Sequence, residues 1–415
     1  MHWSWLPEYD SIPQEWRVCR LGTVIEIVSG QSPDGSTIST ERVGEPFLQG
    51  NAEFGAHHPV AAFHCTAAKK RSQAGDTLIS VRAPVGEVNY SDQSYGLGRG
   101  LAALRAKDID GAFLFYGMQH WRRSLLRVSQ GTTFDAIGEG NLRSMWVCLP
   151  NSLAEQSAVG NAFALIESNI AATQAAIAAA ERLQRGLMRE LLAGRIRPDG
   201  SARTAADFWS DERLGHVPHR WEVRRLRELI RLKNGKSNVT SNLRSNREGD
   251  YQFPVFGGNG MTGWSDRFFL PEPTVVVGRV GEYCGAIHAT PPNSWVTDNA
   301  LYVEERLAPL DVRFLFHLLT SLRLNRWKAT TGQPKITQSE ILNIRVAFPE
   351  DEDEQRAIAD RLAAFHELIR AKEAKIATLQ RLKKSLMQNL LTGRVRLSAE
   401  TIAALNAPAI LPAAP

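Results

Sequence analysis

The sequence predicts a mixed α/β (α+β) chain: two mixed α/β domains separated by a long antiparallel two-helix coiled coil, with an internal pseudo-two-fold repeat. Three observations predict it. A helical segment recurs without a gap at a spacing of 199 residues. Its apolar positions keep a coiled-coil period. The regions ahead of the two copies carry short apolar strands and amphipathic helices on a looser version of the same repeat.

The repeat is plainest in its helical part. LPNSLAEQ at 149–156 matches FPEDEDEQ at 348–355, and LLAGRIR at 191–197 matches LLTGRVR at 390–396. The preceding regions share fewer anchors. IPQEWRVCRLGTVIEIVSGQS (12–32) aligns with VPHRWEVRRLRELIRLKNGKS (217–237), FLF at 113–115 with FLF at 314–316, and Gly131 with Gly332. A variable region precedes a similar helix, twice.

Residues 152–193 contain no proline, and their apolar side chains recur at steps of three and four. The predicted seam includes Ile166, Ile170, Ile177, Leu183 and Leu187, and in the second copy Phe365, Ile369, Ile376, Leu382 and Leu386. Pro150 and Pro349 precede the helices, and Gly194 and Gly393 stand where each should stop. About forty residues at ~1.5 Å each make a rod of roughly 60 Å. Such a rod needs a partner for its stripe, and the other copy is the expected one. Packing of each helix on its own domain is the alternative. Arginine and lysine crowd the end of each copy, where the helix macrodipole favours cations (Arg182, Arg185, Arg189; Arg381, Lys383, Lys384).

In the regions between, TLISVR (77–82) and TVVVGRV (274–280) read as buried strands, and residues 113–127 and 312–328 as amphipathic helices. Basic and polar side chains collect in the predicted loops: Lys69, Lys70, Arg71, Arg82, Arg99 and Thr132 in the first region, and Lys233, Lys236, Arg244, Arg247, Arg279, Gln333 and Lys335 in the second. Such side chains suit nucleic acid, arginine pairing with guanine, glutamine with adenine and lysine with phosphates. Taken singly, each reads as an ordinary solvated surface group; only the collective pattern points to nucleic acid.

Composition permits this reading without demanding it. There are 49 lysines and arginines against 44 acidic residues, a net charge of +5. Four dispersed cysteines form no CxxC pair, which argues against a disulfide framework or a cysteine zinc site. The start lacks the pattern of a signal peptide and no apolar run approaches a membrane span, so a cytoplasmic protein is expected. Motifs for catalysis are missing. NGKS at 234–237 has Ile230 where a phosphate loop needs glycine, Pro291–Pro292–Asn293 does not fit an amino-methyltransferase signature, and no GxSxG occurs. His57, His58, His64 and Cys65 match no ligand spacing, so no metal site is expected.

The helical copies open with [LF]-P-x4-EQ and close with LL-[AT]-G-R-[IV]-R, and each preceding region opens on W-x4-L at Trp16–Leu21 and Trp221–Leu226. With these motifs the chain resembles the specificity subunit of type I restriction-modification enzymes, over nearly its whole length. The resemblance implies target-recognition domains at 1–150 and 198–348, spacer helices at 151–197 and 349–397, and a flexible C-terminal tail at 398–415. It implies that each domain binds one half of a bipartite, asymmetric site in double-stranded DNA. The helices would set the gap and dock two modification (methyltransferase) subunits, and two restriction (helicase-nuclease) subunits can join. The chain itself would be non-catalytic and bind no cofactor, with S-adenosylmethionine, ATP and magnesium on the partner subunits. The recognition subunit of a related type II enzyme and a coiled-coil adaptor that never touches DNA are the other readings.

Overall fold

Proline and capping side chains start the two long helices, and glycine ends them. In the computed structural model, which describes residues 12–129, 136–237, 243–327 and 334–407, these helices run over Leu153–Leu192 and Glu352–Leu390. Ser152 Oγ accepts from Glu155 N at 3.3 Å, and Asp351 Oδ1 accepts from Asp353 N at 2.9 Å. Gly194 and Gly393 follow the helices at φ +66° and +70°. The first helix is by length and composition apolar enough to cross a membrane. Its alanine run raises its hydropathy, and its stripe is packed within the protein.

The chain divides into two units, and the division cuts both helices. The first comprises 1–175 and 374–415, the second 176–373. In the first unit an antiparallel sheet places Ile25–Ser29, Leu101–Ala106, Thr77–Ser80 and Val88–Tyr90 side by side. A second sheet orders Ile38–Ser39, Phe63–Cys65, Glu45–Leu48 and Gly96–Leu97. A ribbon pairs Trp16–Arg20 with Trp146–Pro150. The helix Gly111–His120 closes the core with Phe113 and Leu114, both fully buried. That core also takes in Val159 and Phe163 from the start of the first long helix and Leu390 and Leu391 from the end of the second.

The second unit repeats this plan. Ile230–Asn234, Ala300–Arg306, Val275–Gly278 and Ile287–Ala289 form one sheet, and Gly260–Ser265, Phe253–Gly257 and Trp295–Val296 the other. The ribbon is Trp221–Arg225 with Arg345–Pro349, and the closing helix is Val312–Ser321. Its core joins Leu191 and Leu192 to Ile358 and Leu362. Within each unit, therefore, the start of one long helix meets the end of the other, so the pair is antiparallel. The helix ends also belong to the domain cores, so the two packing expectations both hold, at different places along the rod.

Register decides the seam, and it corrects two expected members. One unbroken row of buried and half-buried positions in the first helix runs through 159, 163, 166, 170, 173, 177, 180, 184, 187 and 191, alternating steps of four and three. The second helix repeats them 199 residues on. Leu183 and Leu382 lie one position outside and are 61% and 45% exposed. Gln184 and Lys383 take their places, because each finds a polar partner on the opposite helix. Gln184 Nε2 lies 3.3 Å from His366 Nδ1, and Lys383 bonds Glu167. Hydrophobicity alone favours the leucines; the heptad spacing and these partners exclude them.

Glu167 also ties the helix pair to the first domain. It accepts from Tyr116 Oη at 2.7 Å and faces His57 Nδ1 at 3.0 Å. Burial pushes its carboxyl up, but the bonds from His57, Lys383 and Tyr116 prevail and hold it at about 2. A carboxylate depressed in the folded state gives stability that is present above its unfolded value and lost as pH falls through the folded one. Acidification from about pH 5 to pH 2 is therefore expected to loosen the first unit. In Glu167→Gln this part of the acid dependence should vanish, as read by fluorescence-monitored unfolding across pH; an unchanged profile would contradict the assignment.

The segment 398–415, expected to be a flexible tail, is ordered over its first part. Ser398 caps a helix over Ala399–Leu405 by accepting from Thr401 N at 3.2 Å. Asn161 Nδ2 donates to Leu405 O at 3.2 Å, and Asn406 Nδ2 to Ala154 O at 2.9 Å, fastening this helix to the start of the first long helix. Asparagine side chains bonded to backbone carbonyls supply the order that composition did not announce.

Candidate nucleic-acid interface

One sheet edge recurs in both units with the same backbone bonding. In the first unit Gly30 N donates to Leu101 O (2.9 Å), Gln31 N to Leu97 O (2.9 Å), Gly98 N to Leu48 O (2.8 Å) and Val81 N to Gly100 O (2.9 Å). In the second, Gly235 N donates to Ala300 O (3.0 Å), Lys236 N to Val296 O (2.8 Å), Thr297 N to Phe256 O (2.9 Å) and Arg279 N to Asn299 O (3.0 Å). A final pair, Ile137 N to Val81 O and Ile336 N to Arg279 O, places residues 136 and 335 alongside. A turn at 98–100, or 297–299, thus stands over a crossing of strands. Close approach beneath it requires glycine. A Cβ on Gly30 would lie 2.1 Å from Gly98 O, and one on Gly235 would lie 2.1 Å from Thr297 O.

Several predicted residues gather around this turn. In the first unit Arg99 is its apex, Arg82 adjoins the strand bonded to Gly100, and Lys70 O accepts from Leu97 N at 2.9 Å, bringing Lys69 and Lys70 alongside. All four are exposed, and among the described residues none makes an ion pair. In the second unit Lys236, Arg279 and Lys335 surround the turn, with Lys335 bridged to Val280. Lys236 Nζ sits 4.4 Å above the Phe269 ring.

Others stand apart or are engaged. Arg71 binds Glu45 at 2.8 Å. Lys233 binds Glu304, which raises its ammonium pKa. Arg244 and Arg247 flank the far edge strand Gly260–Ser265, where Arg244 covers Tyr251 at 5.2 Å and Arg247 covers Trp264 at 5.6 Å. Thr132 and Gln333 lie outside the described residues. The structure adds Gln31, the exposed counterpart of Lys236, which the pairing of SGQS with NGKS could have supplied. It also adds Asp298, for which the sequence held no signal, because residues 95–101 and 294–300 share no identities. Among the described residues no three His, Cys, Asp or Glu side chains are grouped to hold a metal.

Two α+β domains of one plan, each with a basic sheet edge and each built onto the same repeated helices, define a duplicated helix-framed class of protein. A family model for the type I restriction modification DNA specificity domain matches residues 13–182 and again 218–381. The chain belongs to that family. It is 35% identical over 194 residues to the putative type I restriction enzyme MjaX specificity subunit of Methanocaldococcus jannaschii, an alignment covering 46% of this chain and 45% of that protein. It therefore spans less than half the length of that relative. The MjaVIII specificity subunit of the same organism is 23% identical over 415 residues, with 93% and 94% covered. The solved S subunit of a type I restriction-modification system from M. genitalium shares the fold, with a TM-score of 0.63, 16% identity and 92% and 96% of the two chains covered.

Proposed function

We propose that this chain is the DNA sequence-specificity subunit of a type I restriction-modification complex, each domain binding one half of a bipartite, asymmetric site. The observation that carries the reading is a constant frame bearing different side chains: the same backbone bonds hold the 98–100 and 297–299 turns, while the residues around them differ. The long helices set the number of unread base pairs between the halves and dock two methyltransferase subunits. Leu183 and Leu382, exposed at equivalent positions, offer each partner the same apolar contact. Two restriction subunits can join. The chain is non-catalytic; S-adenosylmethionine, ATP and magnesium are bound by the partners, and the complex works in the cytoplasm, where the DNA is.

Joining two short recognitions in one chain makes the second binding effectively intramolecular, so two weak contacts become one specific one. Exchanging residues 1–150 for those of another member, with the methyltransferase subunit present, is expected to change one half of the methylated sequence and leave the other intact. Long-read mapping of methylated adenines measures this. A change in both halves would refute the division of labour.

A further inference from the structure

We infer that residues 99 and 298 are specificity-determining positions, Arg99 reading a guanine edge and Asp298 the exocyclic amino group of cytosine or adenine in the major groove. The inference rests on the reading that each unit binds half of a DNA site.

The two residues occupy one structural position. Each is the exposed apex of a turn whose flanks are buried: Leu97 and Leu101 in one unit, Val296 and Ala300 in the other, all at 0% exposure. The turns close with the same bond, Leu101 N to Gly98 O and Ala300 N to Thr297 O, both 3.1 Å. Gly30 and Gly235 let the strand beneath press against them. Glycines flank Arg99, whereas Asn299 is exposed beside Asp298; a firmly seated base beneath the apex side chain is what base reading demands, since the contact must be presented at fixed distance and angle.

The sign of the charge then discriminates between roles. An arginine at the apex fits either a phosphate or the O6 and N7 acceptors of guanine. An aspartate fits no phosphate, because the charges repel. It stands among Lys236, Arg279 and Lys335, yet makes no ion pair among the described residues. The major-groove groups that can donate to it are the amino groups of cytosine and adenine. Because the frame is shared, a base-reading role at 298 extends to 99.

The test uses the intact complex with its methyltransferase subunit, selecting bound duplexes from a random-sequence library. Arg99→Ala and Arg99→Lys are each expected to lose about tenfold or more of preference at one base pair of one half-site. Lysine keeps the charge but not the two-pronged geometry. Asp298→Asn and Asp298→Ala are expected to lose preference at one base pair of the other half-site, with non-specific binding unchanged or stronger. Thermal melting and assembly with the methyltransferase subunit confirm intact variants. If Arg99→Ala weakens binding to all sequences equally, or the Asp298 variants leave every base preference in place, the inference is overturned. If the wild-type complex selects no bipartite sequence, the functional reading itself fails, which is a separate result.

Discussion

Gly393→Ala is expected to destabilise the first unit by about 2–4 kcal/mol, lowering its melting temperature by roughly 5–15 °C. Two penalties add. Gly393 sits at φ +70°, where an L side chain costs about 1–2 kcal/mol. Its Cβ would also fall 2.4 Å from Pro13 Cγ and 3.3 Å from Trp16 Cε2, inside the ring contacts that seat the opening ribbon on the helix end. The second unit has the same joint: a Cβ on Gly194, at φ +66°, would lie 2.3 Å from Pro218 Cγ. Gly194→Ala is therefore expected to behave alike. Adding Pro13→Ala to Gly393→Ala should restore the clash part of the loss and leave the backbone part. Calorimetry of the single and double variants decides it, and a melting temperature within a degree or so of wild type would show that the joint gives way freely.

Gln355→Leu should cost about 2–5 kcal/mol, for a different reason. The Gln355 side chain is fully buried, and its Oε1 accepts from Asp311 N at 2.8 Å. Its Nε2 donates to Pro309 O at 3.0 Å and to Pro349 O at 2.9 Å. One amide thus joins the cap of the helix Val312–Ser321, the end of the ribbon and the first turn of the second long helix. Leucine nearly preserves the volume but leaves one donor and two acceptors without partners. Gln156 makes the equivalent clamp to Asp110 N and Pro150 O, each within 2.8 Å, so Gln156→Leu should cost less. Denaturant unfolding measures both, and equal or negligible losses would sink the account. Gln355→Glu should make the clamp depend on pH. Only the protonated acid can donate, its single O–H serving one of the two carbonyls, while an ionised carboxylate would face both carbonyl oxygens without a proton, so the folded-state pKa rises above the unfolded value of about 4.3. The variant should be most stable below about pH 4 and weaken as pH rises.

These two residues belong to motifs visible in the sequence, yet their roles were not. The EQ pair and the closing glycine stood out because they recur at a spacing of 199. Recurrence says that a residue matters twice, not what it touches. The ion pairs show the same limit. Glu155 and Glu354 are repeat partners, but Arg396 holds the first at 2.7 Å whereas Arg203, not the matching Arg197, holds the second at 2.5 Å. Arg197 turns instead to Asp207 at 3.2 Å. An arginine's long side chain lets different positions serve one carboxylate, so charge pairing need not follow the repeat.

The duplication, the class of the domains, the ends of the long helices and most of their seam are legible in the sequence. Those features are periodic and local: heptad spacing, proline and glycine punctuation and apolar strands report them directly. Tertiary structure supplied the reason that Gln184 and Lys383 displace Leu183 and Leu382 from the seam: their partners His366 and Glu167 come from the opposite helix. It alone singled out the turns at 98–100 and 297–299 from the scattered basic loops. Their equivalence is written in backbone hydrogen bonds between distant strands, which constrain where a side chain stands but not which side chain it is.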